Sequence, residues 1–299
     1  MDIDYDTEMV GTVEVTEKDQ LDLASLTRWF EANVEGFEGP ISYTKFKGGQ
    51  SNPTYLLAAG SQRYVLRRKP PGKLLPSAHA VDREFRVLQA LHGGPVPVAE
   101  PLHLCTDESV IGSVFYLMAF VPGQVHWDPS LPGMTPEQRA AHYEAIIAAL
   151  AALHALDPAA IGLGDYGKPG NYFARQIHRW SDQYRASEIE PIPDMDTLMA
   201  ALGQRCPADD GRVALVHGDF RIDNLMFDPA QPKVIAIVDW ELSTLGHPLA
   251  DLGYFCMALR LPRNPALPGL AGMDRAALGI PEEAAMLERY CELSGQPVP

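Results

Sequence analysis

The sequence predicts an α+β protein of two lobes, in which a small antiparallel β-sheet lobe with one helix precedes a larger, mainly helical lobe. Up to residue 120, short apolar and β-branched runs separated by turn residues are typical of strands. After Pro122 and Gly123, apolar residues recur at helical spacing. The length of 299 residues also exceeds the size that one hydrophobic core usually supports.

Three segments follow from these patterns. Residues 1–22 hold eight acidic residues and one lysine, which predicts a solvated, mobile N-terminal arm. The first lobe covers residues 23–120, and the second lobe covers residues 121–299.

Individual elements are predicted from periodicity and from turn residues. Strands are expected over residues 41–47, 54–59, 62–69, 101–106, 113–120, 225–227 and 234–238. Helices are expected over residues 23–35, 81–92, 171–188, 194–205, 249–260 and 281–293. A capping box at Thr135 and Gln138, with Pro136 at the first helical position, predicts a further helix that ends near residue 156.

Composition narrows the class of protein. The formal net charge of −15 argues against partners such as nucleic acid or anionic membranes. The longest apolar stretch, residues 145–153, is half the length of a membrane span, and the acidic start lacks a signal-peptide core. The four cysteines have no paired spacing, so we expect reduced thiols and a cytoplasmic enzyme.

The strongest chemical signal is the segment 217–224 together with the end of the strand 234–238. Folding this hairpin about its turn brings Asn224 opposite Asp239, at the roughly 5 Å spacing of paired strand residues. A carboxylate and an amide oxygen at that distance suit Mg²⁺ with phosphate and water. Asp219 lies just before them, free to act on a hydroxyl. The alternative is a polar turn with hydrogen-bonded Asp and Asn side chains.

In the first lobe, the residues between the strands 41–47 and 54–59 form a candidate phosphate loop. The glycines allow backbone N–H groups to approach a phosphate without an intervening Cβ. An ordinary hairpin turn explains the loop equally well. The candidate residues are Gly48, Gly49, Gln50, Ser51 and Asn52.

Residues 63–86 hold seven Lys or Arg against two acidic residues, an island of positive charge in an acidic chain. Within it Val65 and Arg67 share one strand face. Glu84 falls on the apolar stripe of the helix 81–92, where an ionised carboxylate needs a partner, and Arg67 is our choice. The alternatives are a solvated basic edge strand for Arg67, and a local partner such as Arg83 or His92 for Glu84.

Two further groups have weaker signals. The apolar run that ends the first lobe can supply an adenine slot and backbone hydrogen bonds at Met118, Ala119 and Val121, or it is simply a buried strand. Asp251 falls in the first turns of the helix 249–260, where we expect it to hold the loop that contains His217 through backbone N–H groups.

With these residues in view, the chain resembles the aminoglycoside phosphotransferase and choline kinase superfamily, which has a bilobal protein-kinase-like fold. The similarity is most specific in the segments 217–224 and 237–240. The sequence of residues 48–54, 65–72 and 238–241 resembles that of one subgroup, the amino-terminal kinase-like domain of certain animal acyl-CoA dehydrogenases.

The resemblance implies a role for each position. Asp219 orients or deprotonates the acceptor hydroxyl, Asn224 and Asp239 hold Mg²⁺, and Arg67 paired with Glu84 contacts the ATP phosphates. The residues 48–52 lie above the phosphates, and Ala119 and Val121 lie at the hinge. This sequence departs from the family in having Arg67 where Lys is frequent, and relatives usually continue with further helices after the last residue given.

These observations predict an ATP- and Mg²⁺-dependent small-molecule kinase that acts on a hydroxyl group. A catalytically silent nucleotide-binding or scaffold domain is the main alternative, and a metal-dependent phosphohydrolase lacks the expected histidine-rich ligand sets. The acceptor stays open between cationic aminoglycosides and a hydroxyacyl compound or its coenzyme A thioester.

Overall fold

The first lobe is built on one antiparallel sheet of six strands, in the order β1-β2-β3-β4-β6-β5. The computed structural model describes residues 9–48, 51–70, 80–264 and 268–297. Its first six strands are β1 (Thr12–Val13), β2 (Ile41–Phe46), β3 (Thr54–Ala59), β4 (Gln62–Arg68), β5 (Pro101–Cys105) and β6 (Phe115–Ala119). All of these but β1 were predicted from the sequence, with ends that differ by one or two residues.

Helices cover both faces of this sheet. They are α1 (Leu23–Asn33) and α2 (Val81–Leu91), so the lobe has one helix more than the fold prediction counted. Phe115 and Leu117 of β6 pack in the core with α1, whereas Tyr116 between them packs in the core with α2. Because successive strand residues point to opposite faces, the two helices lie on opposite sides of the sheet.

Strand β4 lies inside the sheet between β3 and β6, and its last five residues are buried. Arg67 and Arg68 are therefore both buried, because neither face nor edge of this strand meets water. The alternative of a solvated basic edge strand is wrong for this reason.

The predicted acidic arm needs correction over the residues that the structure describes. Thr12 and Val13 pair with β2, and the Lys45 ammonium is 3.0 Å from the Asp19 carboxylate. Tyr55 donates a hydrogen bond to the Asp19 carbonyl, and Leu21 is buried in the α1 core. The segment is therefore attached to the first lobe at β1, Asp19 and Leu21, while most of its other described residues are exposed to solvent. Residues 1–8 of the predicted arm lie outside the described residues.

The second lobe is mainly helical, with short strands near the site. Its helices are α3 (Pro136–His154), α4 (Tyr172–Ser187), α5 (Pro193–Gln204), α6 (Leu249–Met257), α7 (Arg275–Leu278) and α8 (Glu283–Ser294). Its strands are β7 (Gln124–Val125), β8 (Ala214–Val216), β9 (Leu225–Phe227), β10 (Val234–Ile237) and β11 (Thr244–Gly246). Both hydrogen bonds of the predicted capping box at Thr135 and Gln138 are present.

Helix α2 joins the two lobes. Its apolar residues share one core with α3, β9 and β10. Arg83 donates to the Tyr166 carbonyl at 2.8 Å, and Arg86 donates to the Gly162 carbonyl at 2.7 Å. Glu84, on the same helix, therefore has a fixed position relative to the second lobe. Over the described ranges, no helix combines the length and apolar character that a membrane crossing requires.

Candidate active site

A tight loop between β8 and β9 presents Asp219. Gly218 has a φ of +84°, and a Cβ there would lie 2.5 Å from the Leu242 carbonyl oxygen. Only glycine accepts both the left-handed backbone and this close approach. The loop then turns through a short 3₁₀ helix, Ile222–Asn224, into β9.

Asp219 and Asn224 are held together, as the motif predicts. The Asn224 amide nitrogen donates to the Asp219 carbonyl at 2.9 Å and to the Asp219 carboxylate at 3.0 Å. With its nitrogen used in this way, the Asn224 side chain has its amide oxygen left to bind a cation.

Asp239 follows β10 at the open end of the hairpin, but the register differs by one residue from the prediction. Val238 donates its N–H to the Asn224 carbonyl at 3.0 Å, so Asn224 lies opposite Val238 rather than Asp239. Asp239 has a φ of +65°, a left-handed conformation that Asp tolerates better than most residues. This turn takes its side chain out of the ladder and toward Arg67.

Arg67 joins the two lobes across the cleft. Its Nε lies 2.8 Å from a Glu84 oxygen, so the predicted ion pair is present. Its Nη2 lies 2.5 Å from an Asp239 oxygen and 3.6 Å from a Glu241 oxygen. Tyr116 donates to Glu84 at 3.2 Å. The local alternatives for Glu84 are wrong, because its carboxylate turns to β4 and β6.

Among the described residues, the immediate surroundings of Arg67 carry more negative than positive charge. Three carboxylates, those of Glu84, Asp239 and Glu241, surround this one guanidinium. Burial raises the pKa of Glu84 to about 7, against the opposing effect of Arg67. Burial opposes the charge on Arg67, but Glu84 and Asp239 hold its pKa above the usual range. A cleft with this surplus is suited to a divalent cation.

Asp251 and His217 support the loop that presents Asp219. The Asp251 carboxylate accepts from the His217 N–H at 2.6 Å and the Gly218 N–H at 2.8 Å. His154 lies 3.1 Å from the same carboxylate, and the His217 ring lies 2.9 Å from the Val238 carbonyl. Both predicted supporting residues therefore fix backbone groups of the site, and His154 is an addition that the sequence did not indicate.

The candidate phosphate loop is described only in part. Gly49 and Gln50 lie outside the described residues. A Cβ at Gly48 would be 3.7 Å from Trp127, and Ser51 is exposed. Asn52 is fully buried and bonded to Glu84 and Glu241, so its side chain points into the cleft wall rather than to a phosphate above it.

The predicted adenine slot is a strand edge with part of its backbone already used. Val65 is buried and pairs with Met118. Ala119 donates its N–H to the Glu100 carbonyl at 2.9 Å, and the Val121 carbonyl accepts from Gly123 at 3.0 Å. Of the backbone groups of Ala119 and Val121 that were predicted to contact adenine, the Ala119 carbonyl and the Val121 N–H are the ones not used by these two hydrogen bonds.

An apolar groove, which the sequence did not reveal, opens beside Asp219. Its empty volume, with its open mouth, is about 630 Å³. Three polar residues lie at one end: Arg221, Asp223 and Tyr254. Arg221 Nε is 3.5 Å from Asp219, and burial followed by the Asp219 charge raises the pKa of Tyr254 to about 12. The other walls are Trp127, Pro129, Tyr143, Ile222, Phe255, Met257, Ala258, Leu259, Leu261 and Pro268.

Signals for some of these missed residues were present in the sequence. Arg221 and Asp223 lie inside the motif itself, and Glu241 follows Asp239 by two residues. Tyr254 lies three residues after Asp251, on the same side of one helical turn. Within the described ranges, no group of three or more His, Cys, Asp or Glu has the arrangement to hold a metal by itself. Mg²⁺ commonly takes one or two carboxylates with phosphate and water instead.

Comparison with known proteins gives the family. The model of the phosphotransferase enzyme family matches residues 42–289, most of the chain. The chain belongs to this family. It is 47% identical over 260 residues to mouse acyl-CoA dehydrogenase family member 10, and 48% identical over 291 residues to chicken acyl-CoA dehydrogenase family member 11. These alignments cover 87% and 95% of the chain, but only 24% and 37% of the relatives' own lengths.

Solved structures of phosphotransferases share the kinase-like fold. A protein from Ralstonia eutropha, provisionally assigned as an aminoglycoside phosphotransferase, is 52% identical with a TM-score of 0.83, covering 94% of this chain and 82% of that one. A macrolide 2′-phosphotransferase from Brachybacterium faecium is 18% identical with a TM-score of 0.61, covering 93% and 85%. An aminoglycoside phosphotransferase in complex with ADP and hygromycin B is 16% identical with a TM-score of 0.58, covering 90% and 83%.

The contacts of the buried Asp251 predict that its carboxylate stabilises the fold. Asp251→Asn keeps the size of the side chain but removes the charge that faces His154, His217 and Gly218. We expect the free energy of unfolding at pH 7 to fall by roughly 3 kcal/mol or more, because hydrogen bonds to a charged group contribute about 1.5–3 kcal/mol each and this carboxylate accepts several. Urea unfolding measures this loss, with Asp182→Asn, which removes an exposed carboxylate, as the control.

The pH dependence of this loss follows from the same contacts. Burial raises the pKa of Asp251, but His154 and the Gly218 N–H outweigh it and hold this pKa below 3.8. The stabilisation is fully present above the unfolded-state pKa of about 3.9 and disappears as the pH falls through the folded-state pKa. The difference in unfolding free energy between wild type and Asp251→Asn should therefore narrow as the pH falls below about 4. A gap of constant size would contradict this role.

Proposed function

We propose that this chain is an ATP- and Mg²⁺-dependent phosphotransferase that transfers the γ-phosphoryl group to a hydroxyl of a small molecule. One observation carries the proposal: the Arg67 guanidinium joins Glu84 of the first lobe to Asp239 of the second. This is the arrangement that in-line phosphoryl transfer needs, because it places a cation and a cation ligand at one cleft. The ADP complex of the structural neighbour supports nucleotide use.

Each residue of the cleft has a task in this proposal. Asn224, through its amide oxygen, and Asp239 would hold Mg²⁺, which supplies positive charge beside the phosphates. Arg67 changes partner from Asp239 to phosphate oxygens, while Glu84 keeps its direction. Asp219 accepts a hydrogen bond from the acceptor hydroxyl. It takes the proton as that oxygen bonds to the γ-phosphorus, while the bond from this phosphorus to the bridging oxygen breaks and ADP leaves.

The groove beside Asp219 is the proposed acceptor site. Its walls are mostly apolar, and Asp223, its acidic residue, is already paired with Arg221 at 2.5 Å. A polycationic aminoglycoside needs several free carboxylates, whereas an acyl chain needs apolar walls. The acceptor proposed is therefore a hydroxyacyl compound or its coenzyme A thioester, which agrees with the names of the curated relatives.

A second candidate is a catalytically silent nucleotide-binding or scaffold domain. The observation in its favour is that Arg67 occupies Asp239, one of the two proposed cation ligands. The presence of Asp219, Asn224 and Asp239 together weighs for the enzyme. The variants below separate the two candidates, because a silent domain shows no turnover to lose.

Asp219→Asn tests the proposed base. The amide keeps the shape of the side chain but cannot take a proton, so we expect turnover to fall by roughly 10²–10⁴-fold. Nucleotide affinity should stay within about twofold, since this residue acts on the acceptor. Steady-state kinetics with a hydroxyacyl thioester and titration with ATP provide the two measurements. Turnover like that of the wild type would remove Asp219 from this role.

Asp239→Ala tests the cation site. Loss of a ligand should weaken ATP binding in the presence of Mg²⁺ by roughly 10–100-fold, by analogy with losses seen at metal sites. With EDTA the loss should vanish or reverse, because the Asp239 carboxylate then only repels phosphate. Calorimetric titration with and without Mg²⁺ measures the difference. Equal affinities for both proteins in Mg²⁺ would contradict the assignment, and Asp82→Asn, which removes an exposed carboxylate, is the control.

Ala258→Leu tests the acceptor groove. The larger side chain fills space between the walls, so the KM for a hydroxyacyl acceptor should rise by roughly tenfold or more. Gly253→Ala, on the helix that ends just before Ala258 and with nothing within 4 Å of the added Cβ, is the matched control. Kanamycin should give no ATP consumption above the background rate. An unchanged acceptor KM in Ala258→Leu would contradict an acyl acceptor in this groove. Efficient phosphorylation of kanamycin would contradict the choice of an acyl compound over an aminoglycoside.

A further inference from the structure

We propose that Asn52 is a positioning residue that joins the phosphate loop, helix α2 and the end of strand β10 through Glu84 and Glu241. Its amide nitrogen lies 2.8 Å from Glu84 Oε1 and 3.0 Å from Glu241 Oε2. The side chain is fully buried. This inference rests on the proposed function, because the three segments need a common geometry only if they serve one nucleotide.

The two bonds span a large part of the chain. Glu84 lies 32 residues after Asn52, and Glu241 lies 189 residues after it, in the second lobe. An Asn amide carries two N–H groups in one plane with fixed directions. Bonding one to each carboxylate sets the distance between Glu84 and Glu241, and with it the separation of the two lobes at this point.

The residue type matches the electrostatics of the position. Glu84 and Glu241 carry like charges and share Arg67, at 2.8 Å from its Nε and 3.6 Å from its Nη2. An uncharged donor between two carboxylates reduces their repulsion without competing with Arg67 for either. An Asp at this position would add a carboxylate to the cluster, and an Ala would leave both acids without this donor.

The direction of Arg67 depends on this arrangement. Its Nε lies 2.8 Å from one Glu84 oxygen, and the other Glu84 oxygen accepts from Asn52. If Asn52 is lost, Glu84 and Glu241 separate, and Arg67 follows one of them away from the phosphate position. The expected consequence is a higher KM for ATP with a smaller change in kcat, since the geometry of the nucleotide pocket changes and Asp219 does not.

A donor–acceptor exchange tests the bond directly. Asn52→Asp should weaken ATP binding by roughly 10–100-fold, the range for a lost hydrogen bond to a charged group. Glu241→Gln alone keeps an oxygen that accepts from Asn52. In Asn52→Asp/Glu241→Gln, the new amide donates to the new carboxylate, so the affinity should recover by about fivefold or more over Asn52→Asp. Asp82→Asn, on the exposed face of α2, controls for loss of one acidic charge.

Hydrogen exchange without nucleotide gives an independent readout. In Asn52→Ala, amides of the turn 239–243 should exchange faster, although this turn is far away in sequence, while α8 stays unchanged. Unchanged exchange in that turn, or a double variant no better than Asn52→Asp, would overturn the role of Asn52. If the wild type binds no nucleotide, the proposed function fails, and the exchange experiment alone decides whether Asn52 joins the lobes.

Discussion

A guanidinium buried between two lobes must be neutralised from both sides, and this requirement shapes the cleft. Arg67 lies on an interior strand with 6% of its side chain exposed, where an unpaired charge is very costly. Its Nε and Nη2 point in different directions, so one residue reaches Glu84 on α2 and Asp239 beyond β10. A lysine has a single charged atom and cannot bridge the two in this way. The presence of Arg where the family often has Lys therefore fits a cleft closed by a two-sided ion pair.

The same cluster gives the cleft charges that are paired with each other and that could also be paired with a ligand. Arg67 lies within ion-pair distance of Glu84, Asp239 and Glu241, and Asn52 donates uncharged N–H groups to Glu84 and Glu241. In the proposed function, a divalent cation would bring positive charge to Asp239, and the triphosphate would bring negative charge to Arg67. Arg67 could then exchange Asp239 for phosphate, and neither side chain would be left without a partner.

Much of this could be predicted from the sequence, and the omissions have physical reasons. The long helices and the strands of the first lobe show clear periodicity, and Glu84 on an apolar stripe required a cation nearby. The strands β7, β8 and β11 have two or three residues, too few for a period. The inward turn of Asn52 and the part played by Glu241 depend on contacts between segments 189 residues apart, which local patterns do not encode. Asn224 lies opposite Val238 instead of the predicted Asp239. This difference of one residue depends on the register of the hairpin, which the residues of the turn did not specify.

Asp219 lies between the charged cleft and the apolar groove. Similarity to the family is informative about the cleft, but it is not informative about the groove. On one side are charged residues from both lobes, which fit a nucleotide and cation whatever the acceptor. On the other side, the apolar part of the groove is built mainly from α6 and the residues just after it, together with Trp127, Pro129, Tyr143, Ile222 and Pro268. The groove meets the charged side at Arg221, through its contact with Asp219. Because the apolar walls are not part of the ion pairs of Arg67, substitutions in these walls would change the proposed acceptor site without changing those ion pairs. A shared fold with macrolide and aminoglycoside phosphotransferases is therefore no argument for a shared acceptor, and the apolar character of this groove has to decide.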